Sequence, residues 1–173
     1  MNKTLVLTAI CKDRPGLVQM LSEVIYSHEA SWEESSMSRL SGQFAGILSV
    51  NVDENAVPGL EKDLLALSDV GMAVTLNESL DGSKLGEQQS LWLDLTCHNK
   101  PGIVREVTNV FVEESVSVQS IDTEVISASM AGGDMFVAGA QLNVAKDFDV
   151  DHLQQALEGL SDDLMVDISS GDE

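Results

Sequence analysis

The chain has 173 residues, 43% of them hydrophobic, and its 9 Lys and Arg stand against 29 Asp and Glu for a formal net charge of −20. Affinity for phosphate backbones and anionic lipid is built from clustered cations and released counterions, so this balance weighs against direct binding to DNA, RNA or a membrane surface. The apolar content is too high for a disordered chain, and the length fits one or two compact domains.

Met1 opens a short alternating apolar stretch that soon meets Lys12, Asp13 and Arg14, without the apolar core and small-residue cleavage site of an export signal. No run approaches the roughly 18 apolar residues that span a bilayer. Cys11 and Cys97 are too few for a disulfide framework and suit a reducing compartment, so the expected address is the cytoplasm.

Residues 5–18 read LVLTAICKDRPGLV, a strand, a Pro-Gly corner and the start of a helix. Leu17, Val18, Leu21, Val24 and Ile25 continue as one apolar stripe at helical spacing. Strands are expected over 31–40 and 44–52, a helix through Leu60, Leu64 and Leu67, and a short strand over 72–76. A polar stretch follows, and then the pattern returns. Residues 91–104 read LWLDLTCHNKPGIV. Aligning Pro15 with Pro101 superposes the cysteines, the Pro-Gly pairs and the stripe, now Ile103, Val104, Val107, Val110 and Phe111, at an offset of 86. The remaining strands are expected over 117–126, 136–144 and 164–168, with a helix through Leu153, Leu157 and Leu160. About six extra residues precede Met135, and Gly132 and Gly133 among them read as loop glycines.

Each copy therefore runs βαββαβ, which predicts an α+β protein of two ferredoxin-like units, each an antiparallel four-stranded sheet with both helices on one face. The units are expected over residues 1–80 and 91–170, joined by a linker over 81–90. Counted up to Lys84, the first copy has 6 basic and 12 acidic residues, and the second has 3 and 17, or −6 against −14.

The chemistry concentrates at Lys12-Asp13-Arg14-Pro15-Gly16 and at His98-Asn99-Lys100-Pro101-Gly102. Pro at the first helical position arrives with its φ preset, and Gly leaves the helix mouth open. Amides of the first turn lack intrahelical partners, and the dipole favours an anion there. Asp13 or Asn99 is placed to accept hydrogen bonds from an ammonium, so the corner suits a free α-amino acid. Plain helix capping by Asp and Asn, with Pro-Gly as a turn, accounts for the same residues. Both readings stand at this point.

The repeated D-R-P-G-L and N-K-P-G-I corners within βαββαβ units resemble the ACT domain, a small amino-acid-binding regulatory module. Two such units joined by a short linker resemble, within that family, the glycine cleavage system transcriptional repressor group. Ser31-Trp32-Glu33-Glu34-Ser35 sits where that group shows N-I-x-D-S, and residues 117–123 (SVQSIDT) sit where it shows N-I-x-x-L-x-T, with Ser for Asn in both. The resemblance implies ligand contacts at Asp13, Arg14, Gly16 and Leu17, and at Asn99, Lys100, Gly102 and Ile103. It also implies side-by-side pairing of units, with a homodimer as one form, and a small amino acid, glycine among the candidates, as ligand. The implied action is on a protein partner, a transcriptional activator of the glycine cleavage operon, rather than on DNA. A detached regulatory subunit of an amino-acid or one-carbon enzyme is the alternative.

No catalytic residue, metal site or cofactor is expected. Cys97 and His98 are adjacent and so face opposite sides of a strand, no His or Cys pair has metal-ligand spacing, and His28 and His152 read as helix-end or solvated residues. The matched cysteines read as small buried hydrophobes. Trp32 and Trp92 fit either a pairing face or the core.

Overall fold

The chain divides into two compact units, Met1–Ser83 and Lys84–Glu173, of which the computed structural model describes residues 1–79, 87–128 and 132–171. The first unit runs β1 (Asn2–Lys12), α1 (Leu17–Ser27), β2 (Ser31–Leu40), β3 (Gln43–Asp53), α2 (Val57–Leu65), a 3-10 turn over Ala66–Val70, and β4 (Met72–Glu78). The second repeats the order as β5 (Gln88–His98), α3 (Ile103–Glu113), β6 (Ser117–Ala128), β7 (Gly133–Ala145), α4 (Val150–Glu158) and β8 (Met165–Ser170). Both sheets are antiparallel, in the orders β2-β3-β1-β4 and β6-β7-β5-β8. This is the α+β, ferredoxin-like arrangement expected from the sequence. Of the linker expected over 81–90, residues 81–86 lie outside the described residues, and residues 88–90 already pair with β7 as the start of β5.

Period-two alternation sends Leu5, Leu7, Ala9 and Cys11 of β1 under the helices and turns Val6, Thr8 and Ile10 to the open face. Leu17, Leu21 and Ile25 of α1 close over them, as Ile103, Val107, Val110 and Phe111 of α3 close over β5. Val18 and Val104 do not join the stripe; they are 47% and 45% exposed, because one helical step of about 100° past the first buried residue reaches its margin. Each unit has its own hydrophobic core, and no polar or charged residue is buried among the described ones.

The repeat persists at the level of strand register. A bulge interrupts β2 between Trp32 and Glu34, and another interrupts β6 between Val118 and Ser120. The first hairpin ends on the pair Leu40 and Gln43, whose counterparts are Ile126 and Met135. In the second unit two further rungs follow, Ser127 with Asp134 and Ala128 with Gly133. The extra residues thus lengthen a hairpin, and Gly133 is the first residue of β7 rather than a loop glycine.

Candidate functional site

The two strand-to-helix corners have nearly identical backbones. Gly16 has φ 90° and ψ 3°, and Gly102 has φ 91° and ψ −3°. A left-handed residue cannot begin an α-helix, so Pro15 and Pro101 lie in the turn before the helix instead of at its first position, and the helices begin at Leu17 and Ile103. No Cβ could settle comfortably at that φ, although the space around both glycines is open. Neither helix has a side-chain cap. Capping therefore does not explain Asp13 and Asn99, and the first-turn amides have no side-chain acceptor. Leu17 and Ile103 are buried in the cores, so at these positions only the backbone is left for a ligand, and the Ile103 amide already donates to the Lys100 carbonyl at 3.5 Å.

Each corner is tied to the same two neighbouring segments. The Asp13 amide donates to the carbonyl of Gly42 at 2.9 Å, and the Asn99 amide donates to that of Asp134 at 2.8 Å. These bonds fasten the corners to the β2–β3 and β6–β7 hairpins. The second tie, to the segment ahead of the last strand, differs in chemistry. Arg14 Nη2 donates to the carbonyl of Val70 at 2.7 Å. In the second unit Asp163 Oδ2 accepts from the His98 amide at 2.8 Å and lies 2.9 Å from His98 Nδ1. Hydrogen bonds from Ser161 Oγ, then from the His98 amide and ring, hold the Asp163 carboxyl well below the usual carboxylate range.

Asp13 is not an open acceptor: its Oδ2 lies 3.0 Å from Nε of Arg39, a β2 residue that sequence reasoning did not single out. Lys100 turns to α3, with Nζ 2.9 Å from Glu106 Oε2, and this contact raises its pKa above the ordinary lysine value. The described residues give the exposed Asn99 side chain no hydrogen-bond partner. Under the corners Cys11 and Cys97 are buried, and burial pushes both thiols up. They lack the thiolate character of a nucleophile. His28 pairs with Asp63 at 2.8 Å and His152 lies 3.3 Å from Glu114. Trp32 packs against its core, whereas Trp92 is 49% exposed on the open face of β5. Among the described residues no group of His, Cys, Asp and Glu is arranged to hold a metal, and no helix is long and apolar enough to cross a membrane.

The open sheet faces distinguish the units. Register aligns Ser36, Ile47, Thr8 and Thr75 in one row across the first sheet, where the two threonine hydroxyls hydrogen-bond. The matching row in the second sheet is Asp122, Gly139, Asp94 and Asp167. Glu124 stands on the next open-face rung, opposite Val137. Lys100, Arg105 and Lys146 all lie outside the four strands, so cations from the strands do not offset this row. Shallow depressions mark both faces, one lined by Val6, Glu34, Ser36 and Ile47 and the other by Asp122, Glu124, Val137 and Gly139.

The sequence profile of the ACT domain matches residues 3–76, a span that includes the first corner and reaches into all four strands of the first sheet. The first unit is similar to the ACT domain over almost its whole length. The second repeats its topology, register and corner, so the chain is built as a tandem of two like units. Two curated proteins, the glycine cleavage system transcriptional repressors of Escherichia coli (strain K12) and Shigella flexneri, are each 21% identical over 118 residues, 68% of this chain. The chain spans 62% of the length of these relatives. Among solved structures, an unknown protein from Galdieria sulphuraria shares the fold with a TM-score of 0.82 at 21% identity, over 98% of this chain and 99% of that one. A candidate glycine cleavage system transcriptional repressor shares it at 0.72 and 14% identity, over 99% of both chains. Both likenesses cover the two-unit fold across both halves of the chain.

Proposed function

We propose that this chain is an amino-acid-sensing regulator that acts by protein contact: a negative transcriptional regulator of the glycine cleavage system that does not itself bind DNA. The observation that carries the reading is the ACT match over residues 3–76, in a chain whose similar curated proteins are named as repressors of that system. The corners supply the sensing chemistry. The uncapped first turns of α1 and α3 favour a carboxylate, and Asp13, Arg14, Asn99 and Lys100 border the place where it would lie. With units over 1–80 and 91–170, ligand favours one state of the protein over another and so changes its affinity for the partner.

The acidic surplus supports the second half of the reading. A −20 chain that presents Asp94, Asp122, Glu124 and Asp167 on one sheet face is repelled by nucleic acid and attracted to a basic protein surface, such as the DNA-binding face of an activator in the cytoplasm. Glycine, or a small amino acid related to it, is the ligand. Two measurements test this together. Calorimetry with a panel of amino acids is expected to show heat with one or two of them, lost in Asp13→Ala or Asn99→Ala. Co-purification from the native cell is expected to recover a transcriptional activator, and recovery of a metabolic enzyme in its place overturns the transcriptional reading.

A further inference from the structure

The two corners share a backbone but not a set of side chains. At matched positions the first has Lys12, Asp13, Arg14, Met20 and Arg39, where the second has His98, Asn99, Lys100, Glu106 and Val125. The first set holds three cations and one carboxylate, of which Arg39 and Asp13 pair; the second holds one of each, Lys100 and Glu106. The first turn of α1 contains no acid, whereas that of α3 contains Glu106. A carboxylate in a helix's first turn satisfies the positive end of its dipole from within. Glu106 Oε2 is moreover a buried atom without a hydrogen bond, its charge met by the Lys100 ammonium 2.9 Å away.

We infer that the corners have parted roles: the first alone receives the free amino acid, with Arg39 as partner of its carboxylate, and the second is closed by its own Lys100–Glu106 pair. The inference rests on the amino-acid-sensing reading and narrows it to one ligand per chain. An arriving carboxylate at α3 meets Glu106 already in place, and binding would require breaking that pair and leaving Glu106 unpaired. Nothing comparable stands at α1. There the arrangement suits exchange: Asp13 is 21% exposed and Arg39 73% exposed, joined through one guanidinium nitrogen at 3.0 Å. An amino acid has an ammonium for Asp13 and a carboxylate for Arg39 and the α1 amides, so one ion pair becomes two and no charge is stranded. Arginine's fork accepts a carboxylate through two nitrogens, a geometry that lysine lacks. Val125, at the matching place on β6, offers neither charge nor donor.

The test uses the intact, isotope-labelled chain titrated with glycine and then with each other proteinogenic amino acid, following backbone amide shifts. Saturable shifts at Leu17, Val18 and Gln19, without matching shifts at Ile103, Val104 and Arg105, are expected for the amino acid that binds. Arg39→Val is expected to weaken its binding about tenfold or more, Arg39→Lys to restore only part of it, and Glu106→Met to leave the first-corner affinity unchanged. Shifts centred on α3, or full affinity in Arg39→Val, overturn the division of roles while leaving amino-acid sensing intact. Saturable shifts at neither helix with any amino acid overturn sensing itself.

Discussion

Replacing Asp94 by Thr, the residue that the first unit carries at the matching position, should stabilise the second unit in a salt-dependent way. Asp94 on β5 faces Asp167 on β8 directly, and like charges opposite one another destabilise a sheet. With Cβ atoms about 5 Å apart in such pairs, a charge separation of about 6 Å in high dielectric gives a repulsion of about 0.7 kcal/mol before screening. Screening lengths of about 30 Å at 10 mM salt and about 3 Å at 1 M leave about 0.6 and about 0.1 kcal/mol. To this the substitution adds a few tenths of a kcal/mol of strand preference that salt does not touch. The assay is urea unfolding in a Trp32→Phe background, so that fluorescence reports Trp92, two residues from Asp94 on the same strand. The variant is expected to gain about 1 kcal/mol at 10 mM salt and to lose about half of that gain at 1 M. A gain that does not change with salt would refute the electrostatic account, and a loss of stability would refute the reading of the row as a strained surface.

Other outcomes follow from the same geometry. Gly16→Ala and Gly102→Ala should each cost about 1–2 kcal/mol from the left-handed backbone alone, measured by urea midpoint, since open space around both glycines leaves no clash to add; a neutral result would mean that the corner relaxes to another φ. Phe111→Ala, which empties a fully buried position, should cost about 3–5 kcal/mol by the same measurement. Asp163 has a folded pKa below its unfolded one, so its contribution is present at neutral pH and fades as pH falls from about 4 towards the folded value. Asp163→Asn should therefore be less stable at pH 7 and lose less on acidification, and an acid limb parallel to that of the parent protein would contradict the His98 and Ser161 contacts.

Topology, the two cores and the paired corners were legible because they are written in periods: alternation for strands, i and i+4 for helices, and an offset of 86 for the whole. Helix starts were misplaced by two residues because a Pro-Gly pair does not reveal which residue breaks the helix; the φ of Gly16 decides it. The ties of the corners were out of reach. Asp13 meets Arg39 and Arg14 meets Val70 only once strand order and register exist. The acidic row was hidden for the same reason, since Asp94 and Asp167 become neighbours only through the pairing of β5 with β8. Charge counting by repeat showed which unit holds the surplus and gave no clue that part of it lines up on one face.

The identical register of the two sheets has a consequence for how such a protein can change. When a homodimer is built from two copies of one unit, every substitution lands twice, and a residue useful on one surface must be tolerated on its symmetric mate. Here Thr8 and Asp94, Thr75 and Asp167, and Arg39 and Val125 occupy equivalent places in one chain and are free to differ. Carrying the unit twice in one chain releases the copies from changing together, so a charged face on one unit and an exchangeable ion pair on the other can be refined separately, each without being imposed on its twin.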